Sequence, residues 1–239
     1  TNASPILLSG SKFKNSSVII NNTYLANSIS DTSWNYALVL TPGTNTISAV
    51  ARIAGTTSDT RYYQILYDNG APIFNDNTPN TIYTSVMHIS ITGADSYSAI
   101  DTIYYRLNNG AWQTGNTIII DTDGIYTIQY YGYDKAGNAS SIKTAQQQAR
   151  YDTTKPKSIQ VYDEGNISID TTLEFSWNLP QDSSAIIDYY VEVDKTITFS
   201  APIFSNWLGR AILSFVITGD FGIQNGETYY CRVKSKDAA

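Results

Sequence analysis

The sequence predicts an all-β chain of three β-sandwiches in tandem. Three observations carry this: short runs of alternating apolar and polar residues, glycine-containing turn dipeptides, and a linker that occurs twice. Alternation, as in Thr46-Ile47-Ser48-Ala49-Val50 and Tyr126-Thr127-Ile128-Gln129-Tyr130, puts one face of a strand in a core and the other in water. Asn109-Gly110, Asp123-Gly124 and Asn225-Gly226 supply the positive backbone angles that tight turns demand. The linker Tyr67-Asp68-Asn69-Gly70-Ala71-Pro72 recurs as Tyr151-Asp152-Thr153-Thr154-Lys155-Pro156, placing Asp68 and Asp152 84 residues apart. A proline cannot donate to a ladder and holds its predecessor extended, so each linker reads as one strand ending and another beginning. The joints divide the chain into modules at 1–69, 70–153 and 154–239. No stretch predicts a helix; Thr144 to Arg150 lacks caps and reads as the last strand of the middle module.

Composition narrows the function classes. Of 239 residues, 42% are hydrophobic and only 15% charged, so the chain can fill cores and is not disordered by composition. Lys plus Arg is 15 against 21 for Asp plus Glu, a net charge of -6, which leaves no basic surface for phosphates; nucleic acid is not an expected partner. No run approaches the roughly 18 apolar residues that cross a bilayer, and Thr1 to Gly10 has no leader pattern, so the segment reads as not membrane-spanning and as mature or excised. One cysteine, Cys231, excludes an intrachain disulfide; Asn, Thr, Ser and Tyr richness with scarce Lys suits an extracellular bacterial surface protein. Sequons at Asn2, Asn15, Asn21, Asn138 and Asn166 would accept glycans in a glycosylating host, and in so Asn-rich a chain they arise equally by chance.

Few residues promise chemistry. His88 lies within the alternating run Met87-His88-Ile89-Ser90-Ile91 and reads as an ordinary strand histidine; Cys231, in Tyr229-Tyr230-Cys231-Arg232-Val233, reads as a small buried hydrophobe without a basic partner. No serine sits in a nucleophile turn, so no enzyme is expected. Asp68 and Asp152 stand where Ca²⁺ would be ligated between sandwiches, yet calcium asks for six to eight oxygens and the chain offers only scattered partners, Asp95, Asp101, Asp121, Asp123 and Asp134. The reading adopted is that no cofactor is required and that both aspartates cap the linker bend. Lys12, Lys14 and Lys143 read as exposed rather than as partners in a Lys-to-Asn crosslink. For a sugar, aromatic platforms would be needed: Trp34, Trp112 and Trp177 have packing explanations, and Trp207 is the candidate for exposure.

Three blocks of the first module, Ser17-Val18-Ile19-Ile20-Asn21-Asn22, Ser33-Trp34-Asn35-Tyr36-Ala37-Leu38 and Leu40-Thr41-Pro42-Gly43-Thr44-Asn45-Thr46-Ile47, resemble immunoglobulin-like repeats of bacterial surface proteins in content and order. So do Ile103-Tyr104-Tyr105-Arg106-Leu107-Asn108-Asn109-Gly110-Ala111-Trp112 and Tyr133-Asp134-Lys135-Ala136-Gly137-Asn138 in the second; together the resemblance spans residues 5 to 155. Phe175-Ser176-Trp177, Tyr189-Tyr190-Val191-Glu192-Val193 and Gly226-Glu227-Thr228-Tyr229-Tyr230-Cys231-Arg232-Val233 are similar to fibronectin type III modules, with Tyr229 as the corner tyrosine whose hydroxyl bonds upstream backbone. The resemblance implies immunoglobulin-like and fibronectin type III-like sandwiches, the last one strand short, and modules of this kind serve as spacers, adhesins and sugar binders alike. Joining the chain's ends reads Asp237-Ala238-Ala239-Thr1-Asn2-Ala3-Ser4, beside Asp134-Lys135-Ala136-Gly137-Asn138-Ala139-Ser140. The expectation is therefore an extracellular stalk, filament or surface-layer protein whose partner is itself, through covalent repetition or through a last sheet that receives Thr1 to Gly10 of the next copy. The alternative is a carbohydrate-binding adhesin or an accessory region of a secreted glycoside hydrolase, with glycans as partners and Trp207 as the ligand residue.

Overall fold

The computed structural model describes residues 1–25, 31–165, 167–168 and 171–239, with Asn166 outside them. The chain is all-β, organised as several sheets in which antiparallel pairing dominates; among the described residues the one helical element is the 3-10 turn Gly219–Phe221. Two compact units divide it: residues 1–77, 89–117 and 127–146, and residues 78–88, 118–126 and 147–239.

In the first unit, Ile6–Ser11 pairs with Ser33–Leu38, from Ile6 opposite Leu38 to Ser11 opposite Ser33. The second sheet is built on Gly43–Ile53, which pairs Ser16–Ile20 along one stretch and Arg61–Tyr67 along another. Alternation does what the sequence implies: Ser16, Val18 and Ile20 point inward, and Val18, Ile20 and Ile47 meet Leu38 with Ile6 and Leu8 from the facing sheet. Burying each such side chain contributes about 1.5–3 kcal/mol, so this shared core holds the two sheets together. Trp34 lies within a strand and packs against that core, over Gly10, where a Cβ would fall 2.8 Å from its Nε1.

The same unit carries a second pair of sheets. Ile73–Asp76 runs antiparallel to residues 91–94, while Ile100–Leu107 pairs Ile128–Asp134. Phe74 is buried between Gly93 and Gly132, whose Cβ atoms would stand 2.3 and 2.6 Å from its ring, so only glycine fits at both. Ile128, Tyr130, Gly132 and Asp134 form the inward row of their strand, and Tyr130 donates its hydroxyl to Asp76 Oδ2 at 2.7 Å. The hairpin after Leu107 turns on Asn108 and Asn109, with φ 48° and 58°, and closes through Gly110 N–H to the Leu107 carbonyl; the expected Asn109-Gly110 centre is thus displaced by one residue, with Asn tolerating the left-handed angles.

In the second unit Ile82–Tyr83 pairs parallel with Ala149–Tyr151, which also pairs Gly124–Tyr126. Residues 144–150 are therefore not one strand: Lys143–Thr144 and Ala149–Tyr151 pair with different sheets. A further sandwich packs Val161–Asp163, Leu173–Trp177 and Ser214–Ile217 against Phe204–Gly209, Ile186–Asp194 and Tyr230–Asp237. Its core joins Phe175 and Trp177 with Ile186, Tyr189, Val191, Val193 and Ile217. The Gln224 N–H donates to the Tyr229 hydroxyl at 2.7 Å, the corner expected of that tyrosine.

Candidate functional site

The residues that gather chemistry are the linker aspartates. In the first unit Asp68, Asp95 and Asp134 each bring one carboxylate oxygen within 4.8 Å of the others; in the second, Asp152, Asp182 and Asp237 do the same. Strand phase explains two of the six. Asp134 ends the inward row of Ile128–Asp134, and Asp237 ends a row in which Cys231 and Val233 face the core, so alternation carries a carboxylate to the inner edge of each sheet. Their partners match too: Asp134 pairs Ile100 and Asp237 pairs Ile186, each beside a register shift in the partner strand.

Each acid is tied by its first oxygen. Asp68 Oδ1 accepts from Gly70 N–H, and Asp152 Oδ1 from Thr154 N–H, the same turn in both linkers. Asp152 Oδ1 also takes the Ser183 hydroxyl at 2.7 Å. Asp95 Oδ1 accepts from the N–H groups of Tyr97 and Ser98, Asp182 Oδ1 from Ser184, and Asp237 Oδ1 from Ala239. The linker amides are anchored alike, Asp68 N–H on the Thr1 carbonyl and Asp152 N–H on the Tyr83 carbonyl. In the first cluster Asn138 is a clamp: its Nδ2 donates to the Asp68 carbonyl at 3.0 Å and to Asp134 Oδ2 at 2.8 Å.

The second oxygens are left over. Asp68 is 0% and Asp152 1% exposed, and Oδ2 of each, with Oδ2 of Asp182 and the Ser98 hydroxyl, is buried without a hydrogen-bond partner. Among the described residues no lysine or arginine pairs with any of the six; the one ion pair joins Arg232 to Glu192. Two carboxylate charges within 4.8 Å of each other repel by at least about 3 kcal/mol at an effective dielectric near 20. Burial works to raise the carboxyls of Asp95 and Asp134, but donated N–H groups outweigh it and hold both below the usual range. For Asp152 burial is again outweighed, by hydroxyl and amide donors, and its carboxyl sits at about 2. At Asp182 burial together with the neighbouring Asp152 charge prevails and pushes the carboxyl up.

Of the other acids named as cation partners, Asp101 and Asp121 accept from adjacent threonine hydroxyls, and Asp123 from Thr153; the structure brings none of them to either cluster. His88 is exposed on its strand. Burial pushes the Cys231 thiol up to about 12, so it stays protonated beside its apolar neighbours. Lys143 donates to the Phe74 carbonyl and Asn75 Oδ1 from an exposed position. Trp207 is 50% exposed and lies opposite Tyr190 across the strand pair, ring centroids 5.1 Å apart, with Lys234 Nζ 5.8 Å from the Tyr190 ring. A second aromatic surface has no signal in the sequence: Tyr104 stacks on Tyr131, flanked by Trp112 and Tyr133, and neighbours across a strand pair show in no local pattern.

At the chain's ends, Ile6–Ser11 is paired within its own sheet, so donating Thr1 to Gly10 to another copy would require that pairing to open. Ala3 N–H bonds the Thr1 hydroxyl, and Ser4 Oγ accepts the Leu40 N–H. Asn2 lies beside Gly137; Ala238 and Ala239 are exposed. Of the sequons, Asn2, Asn15 and Asn21 are exposed, Asn138 has its amide engaged in the clamp, and Asn166 lies outside the described residues.

No family model matches the chain, and no curated protein matches it. Among solved structures it is similar to the fibronectin(III)-like modules of Clostridium thermocellum CbhA, 12% identical over 62% of this chain and 87% of that one, with a TM-score of 0.33. It is also similar to the three N-terminal domains of the highly immunogenic outer capsid protein Hoc of bacteriophage RB49, 10% identical over 98% and 88%, with a TM-score of 0.39. Among the described residues no helix is long and apolar enough to cross a membrane.

Proposed function

We propose that this chain is an extracellular structural protein, a spacer or assembly unit built from immunoglobulin-like modules at 1–69, 70–153 and 154–239. The observation that carries the reading is the repeated linker lock: two linkers of matching sequence, each held by an aspartate whose carboxylate and N–H are both committed to backbone donors and acceptors. A linker fixed this way loses the freedom of a flexible connector, which suits a protein that sets distance and direction.

Self-association is part of the proposal. Tyr230–Asp237 pairs on one side with Ile186–Asp194 and stands at the edge of its sheet among the described strands. Asp237 occupies the place of Asp134, and in the joined reading Asn2 would follow it by four residues, as Asn138 follows Asp134. Thr1, Asn2, Ala3 and Ser4 of one copy would thus complete the lock begun by Asp237, Ala238 and Ala239 of another. Arg232, Lys234 and Lys236 lie along the edge strand, and their charge works against indiscriminate pairing. Electron microscopy and light scattering of the concentrated chain, beside one lacking residues 1–4, test this. Filaments from the full chain alone support assembly; dispersed particles in both samples refute it and leave the covalent spacer.

Trp207 favours a second reading, carbohydrate binding, since an exposed indole braced by Tyr190 offers a flat face to a sugar ring. Binding on a glycan panel that is lost in Trp207→Ala would support it, and no binding to any glycan would remove it.

A further inference from the structure

We propose that Asp68, Asp95 and Asp134, and separately Asp152, Asp182 and Asp237, form two calcium sites, one in each unit. The inference stands on the acid geometry and not on the spacer reading. Clustered acids alone would carry no such claim; the buried oxygens do. Asp68 Oδ2 and Asp152 Oδ2 belong to side chains 0% and 1% exposed, accept nothing, and lie in clusters whose members meet within 4.8 Å. A carboxylate oxygen is an acceptor only, so one shut away from water and given no donor calls for a cation or a proton. Asp182 Oδ2 is left the same way in the second cluster, and the Ser98 hydroxyl beside Asp95 in the first.

The donor set selects the ion. All six side chains offer oxygen, with no histidine or cysteine among them, so the site is hard and disfavours zinc or copper. Two ligands on opposite sides of an ion are separated by twice the metal–oxygen distance, about 4.8 Å for calcium and about 4.2 Å for magnesium. Oxygens that all lie within 4.8 Å of one another fit inside a calcium shell. Calcium also accepts an irregular shell completed by carbonyls and water, whereas magnesium demands a near-ideal octahedron that a loop and two strand ends do not provide. The construction occurs twice, with Asp134 and Asp237 in the same register and Asp68 and Asp152 in the same turn, so one chance clustering does not account for both.

The rival occupant is a proton shared among the acids, and the experiment separates the two. The full chain, stripped with chelator at pH 7.5, is titrated with calcium chloride in a calorimeter and melted with and without the ion, alongside Asp95→Asn, Asp182→Asn and the double variant. The expected result is two ions bound per chain, one in each single variant and none in the double. At a hundredfold excess over the dissociation constant each site should raise the melting temperature by roughly 5–10 °C. Far-ultraviolet circular dichroism and a cooperative melt of each variant in chelator separate a lost site from a lost fold. Absence of both heat and melting shift at about 10 mM calcium, above the range of weak extracellular sites, overturns the proposal. So does a calcium response that survives in the double variant, an equal response to magnesium, or stabilisation of the stripped protein by acid with none from calcium.

Discussion

The clamp at the first linker can be tested by one truncation, Asn138→Ala. The substitution removes the two bonds from Nδ2, to the Asp68 carbonyl at 3.0 Å and to Asp134 Oδ2 at 2.8 Å, and keeps the backbone N–H on Asp134 Oδ1. The neutral bond is worth about 1 kcal/mol and the one to the carboxylate about 1.5–3 kcal/mol, and both acceptors are left without that donor. The expected loss is about 2–4 kcal/mol, or a melting temperature lower by roughly 5–15 °C for a chain of this size. Urea unfolding in chelator, followed by tryptophan fluorescence, measures it free of any cation effect. A double-mutant cycle with Asp134→Ala isolates the charge-assisted bond and should return a coupling above about 1 kcal/mol. A coupling within about 0.3 kcal/mol of zero would refute the clamp, since Asn138 and Asp134 would then act independently.

Tyr229→Phe keeps the ring and deletes the acceptor for Gln224 N–H, so stability should fall by about 1 kcal/mol and the Gln224 amide should exchange faster with solvent; unchanged exchange would refute the corner. Acid should weaken the second linker in a defined window. The Asp152 carboxyl drops from 3.8 to about 2 on folding, so its contribution, about 2 kcal/mol, is complete above pH 4–5 and disappears as pH falls through about 2. Asp182, pushed up by burial and by Asp152, acts with opposite sign and costs stability as pH rises above its unfolded value. Urea midpoints measured from pH 5 to pH 2 in chelator should therefore fall more steeply for the parent than for Asp152→Asn, and equal slopes would refute the assignment.

How much of this was legible in the sequence depends on the range over which each signal acts. Period-two alternation works within a single strand, so it found the strands and, through their phase, fixes Asp134 and Asp237 at the ends of inward rows. The repeated linker gave Asp68 and Asp152 because a proline-bounded turn is written in six consecutive residues. In the sequence Asp95 is one of several scattered acids, and Asp182 lies in Pro180-Gln181-Asp182-Ser183-Ser184, a loop like any other. What joins Asp95 to Asp68 is the packing that brings residues 27 apart to one point, and no local pattern records that. Asn138 was visible as part of a motif, yet its work as a clamp depends on where Asp68 lies.

The two clusters draw six acids from a chain poor in charge, of which Asp68 and Asp152 belong to the linkers themselves. A small sandwich has limited apolar surface to bury, so directional bonds are a means of holding a linker. Aspartate does this with one oxygen, which captures the N–H groups of a turn, and that part of the lock operates in any buffer. The remaining oxygens of Asp68, Asp152 and Asp182 receive no donor, so hydrogen bonding within each cluster uses only part of these carboxylates. Those free oxygens are where the proposed cation would enter, and a cation drawn from the medium would let the stiffness of each linker follow the calcium concentration around the protein.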